Sequence, residues 1–246
     1  MHPRTPRINP RRKPVTRLPS DYSDCVLRAR PPAILTPDGV VSVERIGKGV
    51  FATVYREIGG QQRVFSLVAE GVHDKEILAT TYADDPSNPH LPRVTRYGTL
   101  TDGRSIYEMP FYGVPFRSTN ANASARAAFS VLRRCIHRDA GGGSDERGYE
   151  VATRKMECIE KAAAQLPPRL VEAIRALHDN STNYGDQYDL EISPRNVATD
   201  AQGNLVLLDV LFDRDKAWER TQHRRPGRRA VVLPMGLGLG MGMWGR

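Results

Sequence analysis

Cysteine is scarce and scattered: Cys25, Cys135 and Cys158 stand far apart, with no spacing suited to a set of metal ligands. That pattern excludes a disulfide-stapled scaffold and fits reduced thiols in a cytoplasmic protein. Long apolar runs are also missing, so no stretch approaches a membrane span. The N-terminus lacks the apolar core of a secretory signal. Acidic residues are absent from the first twenty positions, which hold five prolines and six basic residues instead. A segment of this kind cannot bury enough apolar surface to offset its ordering entropy, so residues 1–37 are expected to form a flexible basic arm. Such an arm could touch nucleic acid or an acidic protein through its charge, or simply be solvated.

What remains is long enough for a core. The chain has 246 residues, 39% of them hydrophobic, and its net charge of +8 comes largely from the two ends. The most informative stretch is 186–213. It reads as a polar loop ending in Glu191-Ile-Ser-Pro-Arg-Asn196, a short strand, a turn over Asp200–Asn204, and a second apolar strand, Leu205–Leu208, that delivers Asp209 at its end. Asn196 and Asp209 would then sit at adjacent strand ends, where both could reach one hard cation. Magnesium takes oxygen ligands and is usually shared with a substrate phosphate, so the chemistry implied is phosphoryl transfer.

Upstream, Val40–Gly47 is β-branched and leads into Gly47-Lys-Gly-Val-Phe-Ala-Thr-Val-Tyr55. Gly59-Gly60 marks a hairpin, and Arg63–Ala69 a third strand. A loop that joins two strands argues against a dinucleotide-binding fold, which needs a helix after its glycines. A helix over His73–Thr80 follows, on which Lys75 reads as a solvated residue; His90 reads as a polar loop residue and not a base. Strands end near Gly98 and Met109, with Pro110 and Pro115 closing the second. Helices are expected over Asn122–His137, Asp145–Gln165 and Arg169–His178. Gly141–Ser144 forms a linker, and Pro167-Pro168 opens the third helix.

Taken together, residues 40–213 resemble a protein kinase. In that family a catalytic-loop Asp precedes an Asn by five residues, and a hairpin later comes the magnesium-binding Asp. Without a gap, Glu191 takes the place of the catalytic Asp; Asp189 is the alternative base if two extra residues are allowed. The resemblance implies that Asn196 and Asp209 hold Mg2+. It also implies that Gly47, Lys48, Gly49 and Val54 form the loop over the ATP phosphates, and that Glu108 and Met109 open the hinge beside adenine. Ser66 occupies the position of the family's phosphate-binding lysine, while its helix partner is present as Glu76. Lys48 or Arg56 could supply the missing charge.

The fold implied is α+β: a minimal two-lobed kinase-like domain with an antiparallel N-lobe over 38–112, a short helical C-lobe over 113–219 and a basic, Gly/Met-rich tail over 220–246. It looks most like the small early protein kinases of T-seven-like podophages. That likeness implies ATP-dependent transfer to Ser/Thr of host proteins in the host cytoplasm. Two other functions stay open: a pseudokinase that binds and redirects a host protein, and a basic nucleic-acid-associated protein whose core supports its arms.

Overall fold

The computed structural model describes residues 32–36, 39–100, 102–112, 116, 121–138 and 147–223. The readings made for the arm over 1–31, for Pro115, for the 141–144 linker and for the tail beyond 223 lie outside them.

The β-rich first part forms a six-stranded sheet. Its strands are β1 Ala33–Thr36, β2 Gly39–Lys48, β3 Ala52–Glu57, β4 Arg63–Val68, β5 Thr95–Thr99 and β6 Ser105–Pro110, in the order β1-β2-β3-β4-β6-β5. All pairings are antiparallel. The sheet starts earlier than composition suggested, because Ala33–Thr36 folds back on β2. Ala33 and Ile34 are buried there, and Thr36 Oγ1 donates to Gly39 O at 3.0 Å.

Alternation along the strands divides two apolar clusters. Phe65, Leu67 and Ile106 point to one side, with Ile34, Val43 and Leu100. Val68, Tyr107 and Met109 point to the other and join the main core. That core continues without interruption into the helices α1 Asp74–Asp84, α2 Ala123–Arg138, α3 Gly148–Lys161 and α4 Pro168–Ser181. Two of these helices begin where the sequence supplies a reason. Asn122 Oδ1 accepts the Ala125 amide at 2.8 Å as an N-cap, and Pro168 takes the first turn of α4, where a missing amide costs nothing. The expected boundaries hold to within a few residues, except that the helix read over 145–165 ends at Lys161 and passes into a 3₁₀ turn over Ala163–Gln165.

Two short antiparallel pairs follow. β7 Tyr188–Leu190 pairs with β10 Leu211–Asp213, and β8 Val197–Thr199 pairs with β9 Leu205–Leu207. The turn between β8 and β9 is organised by Asp200, whose carboxylate accepts the Gln202 and Asn204 amides at 3.0 and 2.7 Å. Helix α5, Arg214–His223, follows directly and is capped by Asp213, which accepts the Lys216 amide at 2.9 Å. Among the described residues no helix is long and apolar enough to cross a membrane.

Helix α3 meets the β7 strand through a glycine. A Cβ on Gly148 would lie 2.3 Å from the Gln187 carbonyl oxygen, a backbone atom that cannot swing away. Gly49, by contrast, has only ordinary contact at 3.7 Å, and its φ lies outside the left-handed region. Gly148→Ala should therefore destabilise by about 1–3 kcal/mol through overpacking. Gly49→Ala should change stability by about 0.5 kcal/mol or less. Chemical denaturation of the two variants side by side checks the contrast.

Candidate active site

The 208–210 segment, between β9 and β10, is hydrogen-bonded on both sides. On one side the Asn196 carbonyl accepts the amides of Leu208 at 2.8 Å and Asp209 at 3.0 Å. On the other, the Glu191 amide donates to the Val210 carbonyl at 2.9 Å. Main-chain bonds thus bring together three of the residues singled out from the sequence: Glu191, Asn196 and Asp209. The Asp209 side chain is 45% exposed. Glu191 is half-buried, and its carboxyl is pushed above the ordinary range by burial and by the Asp209 charge; Lys155 and His137 act in the opposite direction.

Asp189 faces elsewhere. Both of its oxygens accept from Lys155 Nζ, at 2.8 and 2.9 Å, and Lys155 also donates to Leu190 O at 2.8 Å. This pair is largely buried, with Asp189 and Lys155 side chains 13% and 7% exposed. Of the two candidate bases, only Glu191 lies beside Asp209 with its carboxylate uncommitted to an ion pair in that register. Lys155 was not singled out from the sequence. Its signal is its position in the apolar stripe Val151, Ala152, Met156 and Ile159, which is buried against the strand carrying Asp189.

The glycine segment closes as a tight turn, with the Gly49 amide donating to Ala52 O at 2.8 Å. Phe51 at its tip packs 6.0 Å, centroid to centroid, from Phe212, three residues beyond Asp209. The hairpin tip is therefore in contact with β10, the strand that follows the Asp209 segment. Pairing register sorts the other candidates by sheet face. Gly47, Val54, Ser66 and Tyr107 lie in one row across the sheet, on the face that meets the main core. Lys48 lies in the next row with Thr53, Leu67 and Ile106, on the opposite face, so the structure does not bring it toward Ser66. Arg56 is on the Ser66 face but at the far end of β3, where it pairs with Glu44 and stacks 5.1 Å over the Phe111 ring.

Ser66 is buried, and its hydroxyl has no hydrogen-bond partner. Glu76 is engaged by Arg96, on β5, at 3.0 Å and by His73 Nδ1 at 3.1 Å, so its cation comes from a strand two places away from β4. At the expected hinge, Glu108 turns to the other face and bonds Tyr97 Oη and Arg63. Met109 is buried in the main core. Phe111, just beyond, donates its amide to Gln62 O at 2.7 Å.

His90, read as a polar loop residue and not a base, lies in a turn and is buried: it bonds the Leu205 carbonyl through Nδ1 at 2.7 Å, and its carbonyl accepts the Leu207 amide at 2.9 Å. It braces β9 from outside the β8–β9 pair. The reading of Lys75 as a solvated helix residue needs correction. Its side chain is 5% exposed, and its Nζ donates to Asp209 Oδ1 and Leu208 O, both at 2.7 Å, with Asp74 Oδ2 at 4.0 Å. Burial alone would push its ammonium down, but the Asp209 and Asp74 charges outweigh that and hold it above the ordinary value. The signal lay in the stripe 74/75, 77/78, 81, which is the buried face of α1 continued one turn past Ile77 and Leu78.

No family model and no curated protein matches this chain. Among solved structures, one similar chain is described as the structure of vaccinia related kinase 3. The two share 12% identity at a TM-score of 0.35, over 74% of this chain and 52% of that one. The match thus spans about half of that protein's length.

Asp74 provides a pH test of this cluster. Burial, then the Asp209 charge, push its carboxyl up to about 7, with Lys75 opposing. One of its oxygens, Oδ1, is buried without a partner. A carboxyl raised in the folded state contributes stability that is complete below its unfolded value near 3.8 and is lost as pH rises through about 7. Asp74→Asn, which stays neutral, should unfold at a higher temperature than the wild type at pH 8, with the gap closing by pH 4. Melting curves across that range measure it.

Proposed function

We propose that this chain is a protein kinase-like phosphotransferase that binds Mg-ATP and moves the γ-phosphate to a Ser or Thr hydroxyl of a protein. The observation that supports this reading is the double tether of the 208–210 segment, which joins the backbones of Asn196, Asp209 and Glu191, with the tip of the glycine hairpin packed on Phe212 of the following strand. The donor set is all hard oxygen, as magnesium requires, and Asp209 presents its carboxylate to solvent. Asp209 and Asn196 would hold the metal, which when bound would neutralise charge on the phosphate oxygens. Glu191 would accept the hydroxyl proton. Its raised affinity for protons, from burial and from Asp209, moves it toward the range a general base needs. The turn at Gly49–Ala52 would cover the phosphates from above. The Ser/Thr acceptor, and a host protein as its bearer, follow from the resemblance of the motifs.

One observation favours a binding module without transfer. The strand position that should carry a phosphate-binding lysine is Ser66, a buried hydroxyl with no partner, and Glu76 is committed to Arg96. In that case nucleotide would bind between hairpin and Asp209 and no phosphate would move.

The two readings separate in a transfer assay. With radiolabelled ATP and a mixed protein substrate, the wild type should label Ser or Thr, and Glu191→Gln should lose about 100- to 10,000-fold in rate while ATP still raises the melting temperature. Undiminished labelling by Glu191→Gln would remove it as the base. Metal-dependent ATP binding with no labelling in any substrate would establish the binding module.

A further inference from the structure

The tip of Lys75 is the most completely enclosed charge next to the site, and the chemistry described so far gives it no task. Its surroundings among the described residues come from three elements of the fold. Asp74 comes from its own helix, Leu208 and Asp209 from the doubly tethered segment, and Leu78, Leu177, Val210 and Leu211 line the space around it. A buried ammonium is tolerated only when paired and hydrogen-bonded. Here two of its three hydrogens are spent on consecutive residues of the segment that carries the candidate metal ligand. One Asp209 oxygen is thereby held from the interior side, while the side chain as a whole stays 45% open.

We infer that Lys75 is a positioning residue for Asp209, fixing the carboxylate so that its outer face is presented to a divalent cation. The inference rests on the reading of Asp209 as a metal ligand. Lys75 does not take over the phosphate contact that Ser66 cannot make, because its side chain is 5% exposed and its tip points into the protein. It acts on the metal side of the site, from helix α1, where the charge in strand β4 is lacking. Two effects of its charge compete. The ammonium repels an incoming cation, yet without it Asp209 and Asp74 would meet in a buried space with no counterion. The Asp209 carboxylate would then lose the interior bond that holds it in one orientation. The bonds to both Leu208 O and Asp209 Oδ1 make orientation the governing effect, so loss of Lys75 weakens metal binding.

The sign of that effect is the test. Mn2+ binding in the presence of ATP is followed by electron paramagnetic resonance, and metal-free ATP binding by thermal shift, so no turnover is required. Lys75→Met should weaken Mn2+ at least tenfold with metal-free ATP affinity kept within about twofold, and Lys75→Arg should recover most of the loss. If Lys75→Met does not fold, Asp74→Asn/Lys75→Met removes the unpaired carboxylate and should show the same selective loss. Asp209→Asn tests the underlying reading. If Asp209→Asn abolishes Mn2+ binding while the Lys75 variants bind it equally or more tightly, the positioning role is overturned and the site stands. If Asp209→Asn has no effect, both fall.

Discussion

A lysine buried to 5% exposure constrains everything near it, because its charge must be answered by groups that are themselves held in place. Lys75 is answered by Asp209, Asp74 and the Leu208 carbonyl, and these come from helix α1 and from the connection between β9 and β10. The contact fixes where the first turn of α1 lies against the strand ends. It is reinforced nearer the end of the helix, where Asn180 donates to Thr81 Oγ1 at 3.0 Å, and at its start, where the His73 amide donates to Tyr188 Oη at 2.9 Å. Helix α1 is thus bonded to β7 and α4 as well as to the sheet, through Arg96 and Glu76.

Two separate contacts distribute charge around helix α1, an Arg96–Glu76 pair toward the sheet and a Lys75–Asp209 pair toward the strand ends. A second buried lysine, Lys155, performs the matching task one strand away by holding Asp189 and the Leu190 carbonyl. The segment that carries Glu191 and the one that carries Asp209 are therefore each backed by an ammonium from a helix. Glu191, lying between, is left as the carboxylate whose proton affinity is raised by its neighbours.

Much of this was legible in the sequence. The hairpin around Asp200, the glycine turn, the strand that holds Ser66 and the opening of α4 at Pro168 all follow from short-range rules of turn chemistry and periodicity, and the structure has them. The approach of Asn196 and Asp209 was legible for the same reason, since a short hairpin leaves little freedom in where its ends lie. The two lysines were not. Lys75 sits in His-Asp-Lys-Glu, a charged run that reads as a solvated helix start, and the apolar residues of α1 are too few to define a face without a partner. Lys155 fills a position in an apolar stripe that sequence reasoning assigns to the core, and what it meets there, the backbone of 189–190, is more than thirty residues away in the chain. Lys48 failed for a different reason: a one-residue step along a strand changes the face, and the bulge between Arg45 and Gly47 shifts the count.

The central claim is that Asp209 and Asn196 form a metal site whose geometry is held from behind by Lys75. It is tested most directly by a crystal structure with Mn2+ and a non-hydrolysable ATP analogue, using the anomalous signal to locate the metal. The account predicts an anomalous peak in contact with an Asp209 oxygen and the Asn196 side chain, with the Lys75–Asp209 bond intact. A bound nucleotide whose metal lies away from Asp209, or a metal that binds there only with Lys75 displaced from it, would contradict the account.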